Sequence, residues 1–202
     1  MGANWKFLKY SISYLSICVT LSGCFQSEYT RLVKAELAKG VRNDSLLFGI
    51  RFGDTRNEFY GKCFDLNKQQ LVTAGAGNNV EYVFSDSLFH RSPTNISLLF
   101  YPSFDQNDKI TNMKMQFSYR AWAPWNRDMQ SDSLLGKTEK ILMNWYGGNN
   151  FILANVGGKQ MPVKLDGNRR ILVYTWDMKS VSVEVQDILN PVFKHASRSE
   201  DK

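Results

Sequence analysis

Histidine and cysteine are scarce in this 202-residue chain. It holds two histidines, His90 and His195, and three cysteines, Cys18, Cys24 and Cys63. With the histidines far apart in sequence, neither a histidine-based triad nor a multi-histidine zinc site is expected. No P-loop, GxGxxG, HExxH or GxSxG sequence occurs. There is no CxxC pair, and nothing calls for a cofactor or a metal. No apolar run reaches the roughly 20 residues that a membrane-spanning helix needs. What is present is an ordinary globular balance, 43% hydrophobic and 22% charged. That length fits one domain or two small ones and can bury a core without staples. Net charge is +6, and the residues after Gly23 carry 23 Lys and Arg against 19 Asp and Glu. The excess is small and evenly spread, so no nucleic-acid partner is expected.

The amino terminus reads as an address. Lys6 and Lys9 precede a short, mostly apolar run, Ser11 to Leu21, the layout of a secretory signal over residues 1–23. Leu21-Ser22-Gly23-Cys24 then resembles the lipobox of bacterial lipoproteins, with small residues that let the backbone enter a peptidase cleft. The resemblance implies a lipidated Cys24 as first mature residue, its acyl chains holding the protein on a membrane. Phe25 rather than Asp follows, which by the sorting rule of enteric bacteria implies the outer membrane. Cys18 leaves with the signal and Cys24 is modified, so Cys63 stands alone. Four residues after Phe59, it reads as a buried apolar thiol rather than a nucleophile.

Residues 24–45 are expected to form a tether with some helical spacing (Tyr29, Leu32, Val33, Leu37), followed by one domain over 46–190 and a flexible tail over 191–202. Leu46–Phe52 reads as a strand. Thr55-Arg56-Asn57-Glu58 is a capping box that predicts a helix over 56–66. Strands are predicted at 70–74, 80–85, 96–101 and 110–119. In the last, Met113, Met115, Phe117 and Tyr119 alternate with Lys114, Gln116 and Ser118. A second helix over 132–146 should start at Ser131 or Asp132 and stop at Gly147-Gly148. Further strands are predicted at 151–156, 161–165, 170–176 and 181–185, with Asp166-Gly167 as a hairpin turn. The fold class is therefore α+β, an antiparallel sheet packed by two helices. The helix-then-four-strands order occurs twice, which points to two similar α-β halves.

The stretch Phe48-Gly49-Ile50-Arg51-Phe52-Gly53-Asp54-Thr55-Arg56-Asn57-Glu58-Phe59 is similar to the opening of small envelope lipoprotein domains of the SmpA/OmlA and β-lactamase-inhibitor-protein-like group. In those a G-x-T/S-x-x-E/D turn precedes a helix packed on an antiparallel sheet. This chain departs from them in its longer strands and in lacking an evident pair of adjacent helices. As a whole it also resembles envelope lipoproteins of gut Bacteroidales-type bacteria, a likeness that implies no activity.

The segment Tyr119-Arg120-Ala121-Trp122-Ala123-Pro124-Trp125-Asn126-Arg127 is the candidate site. Tyr119, Arg120, Trp122, Trp125 and Arg127 combine flat apolar faces with donors, as sugar and protein contacts do. The other reading has both indoles capping the core. Asp44-Ser45, Asp86-Ser87 and Asp132-Ser133, each followed by leucine, resemble the O-glycosylation acceptor of Bacteroidetes-type bacteria, which makes Ser45, Ser87 and Ser133 candidates. Asp-Ser is equally the chemistry of caps and turns. Asp105-Gln106-Asn107-Asp108 opens like a calcium loop, but Ile110 stands where the required glycine would be, and the segment reads as a solvated turn. The expected function is a lipid-anchored envelope module that binds protein or glycan through the aromatic loop or a sheet face. The alternative is an envelope glycan hydrolase using paired carboxylates.

Overall fold

The computed structural model describes residues 28–84 and 96–194. Helix α1 (Glu28–Ala38) leads, followed by α2 (Arg56–Lys68) and strands β1 (Thr73–Ala74), β2 (Val80–Val83), β3 (Ile96–Phe104) and β4 (Ile110–Tyr119). Helix α3 (Ser131–Tyr146), strands β5 (Ile152–Val156), β6 (Lys159–Asp166), β7 (Arg169–Thr175) and β8 (Ser180–Asp187), and the short α4 (Pro191–Lys194) complete it. Among the described residues, no helix is long and apolar enough to cross a membrane.

Helix α2 begins where its sequence says it should. The Thr55 amide donates to Glu58 Oε2 at 2.7 Å while the Glu58 amide donates to Thr55 Oγ1 at 3.3 Å, closing the capping box. The backbone bond from Thr55 holds the Glu58 carboxyl below its ordinary range. Helix α3 starts at Ser131, as expected, but without a side-chain cap. Gln130 occupies the cap without a side-chain bond, and Ser133 Oγ instead donates back to the carbonyls of Asp128 and Gln130.

All eight strands join one antiparallel sheet in the order β1-β2-β3-β4-β8-β7-β6-β5. Each helix-plus-four-strand unit contributes half of it, and the halves meet where β4 pairs with β8. Alternation puts Met113, Met115 and Phe117 of β4 on the same face as Val185, Val183 and Val181 of β8. Phe59 and Cys63 of α2 and Leu134, Ile141 and Leu142 of α3 close over that face, forming the larger core.

The amino-terminal segment corrects two expectations. Residues 24–45 are not a free tether from Glu28 onward, because Tyr29 and Val33 of α1 are buried against Met161, Val163, Leu165 and Leu172 on the opposite face of the sheet. The apolar spacing seen in the sequence is the packing stripe of this third helix. Leu46–Phe52 is not a strand either. Phe48 and Gly49 take positive φ (51° and 75°), turning the chain so that the Leu46 amide donates to the Ile50 carbonyl at 2.9 Å. At the other terminus, the expected tail begins with the single helical turn α4, and residues 195–202 lie outside the described residues.

A buried polar hub at the β6–β7 turn ties these parts together. Lys164, fully buried, pairs with Asp166 Oδ2 at 2.6 Å and donates to the Asn149 carbonyl. Asp166 Oδ1 accepts from the Asn149 amide at 2.8 Å. Arg169 donates to the Ser45 carbonyl at 3.0 Å and lies 4.4 Å over the Tyr146 ring. Asn168 accepts from the Asn43 amide at 2.6 Å and donates to Asp44 and Asp187. Such charges are tolerated inside because each finds a partner; removing one member of a buried pair leaves the other desolvated and unpaired.

Gly167 forms the tip of that turn at φ +57°, and a Cβ built there would stand 2.2 Å from the Val41 carbonyl oxygen. Gly157 has nearly the same φ, +59°, with nothing within 4 Å. Gly157→Ala should therefore cost about 1 kcal/mol of backbone strain. Gly167→Ala should cost about 1–3 kcal/mol more because residues 41–43 must move away. Urea unfolding of the two variants measures the difference.

Candidate functional site

The aromatic loop divides between core and surface. Tyr119 faces the core, buried at the end of β4, with Lys137 Nζ 5.1 Å from its ring centroid. Trp122 packs on the same core, and Lys179 Nζ stands 5.8 Å from its ring centroid. Arg120 and Arg127 are exposed, and Trp125 is 85% exposed. The loop is held through Gln130, which donates to the Pro124 carbonyl at 3.1 Å. Ser131 continues the brace, donating from its amide to Met178 O (2.9 Å) and from its hydroxyl to Asp177 O (2.6 Å) in the β7–β8 turn. Of the five candidates, Arg120, Trp125 and Arg127 are thus on the surface, whereas Tyr119 and Trp122 pack on the core.

The remaining candidates are placed by the same frame. Ser45 is exposed and bridges to Arg51, while the neighbouring Asp44 carboxylate accepts from Arg42 and Asn168. The Ser133 hydroxyl is exposed but already donates to backbone, and Ser87 lies outside the described residues, as does Cys24. Cys63 is buried in the core, and burial pushes its thiol up to about 11, far from the range of a nucleophilic thiolate. Residues 105–108 make a turn in which Asp105 Oδ1 accepts from the amides of Asn107 (2.9 Å) and Lys109 (3.1 Å).

A different surface brings chemistry together. Among the described residues, helix α1 covers the β5–β7 side of the sheet's second face and no element covers that face over β3, β4 and β8. There lies a groove of about 320 Å³. Tyr174 and exposed Trp176 wall it, two residues apart at the end of β7 and therefore on the same face. Leu99 lies across, and Gln116, Ser182 and Asn79 supply uncharged donors and acceptors. Lys114 and Glu184 are directly opposed in the β4–β8 register.

Glu184 is fixed from several sides. Tyr174 Oη donates to its Oε1 at 3.1 Å, and Gln186 Nε2 donates to its Oε2 at 2.7 Å. Gln186 Oε1 in turn accepts from Arg170 Nε and Nη2, at 2.9 and 2.6 Å, and Arg170 Nη1 donates to Tyr29 Oη of α1 at 2.5 Å. Burial raises the Tyr174 phenol above its ordinary value, and the Glu184 carboxylate adds to the effect. The phenol therefore stays protonated, and its hydrogen remains a donor to Glu184. The sequence signal for this site was the wet face of the alternating strands, Ser182 and Glu184 in one and Lys114 and Gln116 in the other. Which further strands lie beside them is set by topology.

No protein-family model matches the chain, and neither a curated protein nor a solved structure shows significant similarity to it.

The two tryptophans of the loop should separate in mutants. Trp122→Ala should lower unfolding free energy by about 2–4 kcal/mol, because it opens a hole beside the core. Trp125→Ala should leave stability within about 0.5 kcal/mol. Thermal or urea denaturation of both variants measures this.

Proposed function

We propose that the chain is a lipid-anchored envelope module that binds glycan on the open face of its sheet. The observation that carries this reading is the groove walled by Tyr174 and Trp176. Its volume is at the small-ligand scale, whereas a stable protein interface buries about 800 Å² per partner on flatter ground. Sugars offer apolar C–H faces to aromatic rings and hydroxyls to fixed amides and hydroxyls, and Gln116, Asn79 and Ser182 fit that demand. The Glu184 carboxylate, held by Tyr174 and Gln186, needs no reorganisation to accept a hydroxyl hydrogen. Among the described residues that line the groove, Glu184 is also the one carboxylate. Paired-carboxylate hydrolysis needs a second at about 5–10 Å, so no observation here favours that reading.

Anchoring rests on Leu21-Ser22-Gly23-Cys24. Two or more acyl chains on Cys24 provide a stable hold on a bilayer, and the sorting residue Phe25 supports the outer membrane as its location. Expressed in a lipoprotein-processing host, the chain should incorporate labelled palmitate and pellet with membranes. Cys24→Ser should abolish both; membrane-bound, unlabelled protein would sink the anchor.

Binding is tested by calorimetric titration with cell-envelope oligosaccharides, a readout that does not depend on any tryptophan. Trp176→Ala should weaken binding at least about tenfold, equivalent to about 1.4 kcal/mol, while stability stays within about 0.5 kcal/mol of the parent. A folded Trp176→Ala protein that binds as the parent does would remove the groove from the account.

A further inference from the structure

The free edge of the sheet at β5 has an unusual surface. From Gly147 to Gly158 the chain carries no charged side chain. Within that run, and among the described residues, β5 pairs only with β6 and leaves its other backbone edge without a strand partner. Leu153 is 69% exposed and Ile152 is 36% exposed, on alternate faces of the same edge strand. An uncharged, apolar edge of this kind is a pairing hazard that soluble domains ordinarily block with lysine, proline or a bulge. Something is expected to cover it.

The start of α1 lies at this same edge. Glu28 and Tyr29 line a shallow groove with Ile152, Leu153, Ala154 and Asn155. Three residues separate Cys24 from Glu28, and the four extended chain steps between them span at most about 14 Å. Lipid on Cys24 therefore keeps the start of α1, and the β5 edge beside it, within about 14 Å of the lipidated residue. The far edge of the sheet, at β1, is seven strand spacings away, about 33 Å.

We propose that the β5 edge is the membrane-contacting surface of the protein, with Leu153 and Ile152 entering the headgroup–acyl boundary beside the anchor. This rests on the lipid-anchor reading. An open strand edge cannot enter the hydrocarbon, because its backbone groups would lose their partners. The strand therefore lies at headgroup depth, where water and headgroups satisfy those groups, and only the two side chains dip further. The contact also fixes how the domain stands. The sheet rises from the bilayer on its β5 side, and the groove over β3, β4 and β8 is held away from the surface, open to ligand.

The test uses the full lipidated chain in vesicles, on a Cys63→Ala background. An environment-sensitive fluorophore is attached through Leu153→Cys or, as the distant control, through exposed Thr73→Cys on β1. Acyl-chain quenchers in the bilayer should quench the label at 153 at least about threefold more than that at 73, since the two differ by about 33 Å in height. Equal quenching in a protein that takes up palmitate overturns the inference and leaves the anchor standing. Absence of palmitate uptake overturns both. Dimerisation of the Cys24→Ser chain in solution, lost on Leu153→Lys, assigns the edge to a second copy and also overturns the inference.

Discussion

The pairing of β4 with β8 is the constraint on which the rest of this structure depends. Each strand alternates apolar and polar residues, and their register keeps like with like. Met113, Met115 and Phe117 lie beside Val185, Val183 and Val181, while Lys114, Gln116 and Ser118 lie beside Glu184, Ser182 and Ser180. A shift of one residue would put Met115 beside Glu184 or Ser182 and turn core side chains into water. The same register that joins the two halves creates both the dry face that α2 and α3 cover and the wet face that carries the groove. The core and the groove are two sides of one pattern.

The two faces are finished differently. Apolar area closes the first. On the second, α1 covers a smaller apolar patch and is oriented by polar contacts that have fixed geometry, the Tyr29–Arg170 bond and the acceptance by Glu36 of the Gly167 amide at 3.2 Å. Hydrophobic contact alone is non-directional and would let the helix rotate or slide. Arg170 is almost entirely buried, so a rotated helix would leave a guanidinium donor without its partner, at a cost of several kcal/mol. The polar contacts set the position that the apolar contacts stabilise.

Elements whose information is local were legible in the sequence. The capping box at Thr55, the alternation over 110–119 and the turn at Asp166-Gly167 each specify their geometry within a few residues. Leu46–Phe52 misled because its composition is that of a strand, whereas Phe48 and Gly49 fold it back on itself through left-handed backbone that composition does not announce. The helix over 28–38 was visible as spacing, but its destination was not, since its partners lie more than a hundred residues downstream. The aromatic loop is dense in tryptophan in sequence, with Trp122 and Trp125 three residues apart. In space Trp122 caps the core, and the exposed wall of the groove comes from Tyr174 and Trp176, whose neighbours Leu99 and Gln116 arrive from other strands.

The chain of bonds from Tyr29 through Arg170, Gln186 and Glu184 to Tyr174 joins helix α1 to the floor of the groove. Each link fixes the next. Arg170 forks onto Gln186 Oε1, which turns the Gln186 amide nitrogen toward Glu184, and Glu184 then holds the Tyr174 hydroxyl so that the ring stands in one position. Ordering side chains on binding costs about 0.5–1.5 kcal/mol for each one immobilised. A groove wall already held by the fold avoids that cost for Tyr174. Helix α1 thus does more than connect: by completing the bonds of Arg170 it keeps the groove in shape. That gives a physical reason for the segment to be built into the sheet rather than left as a free leash.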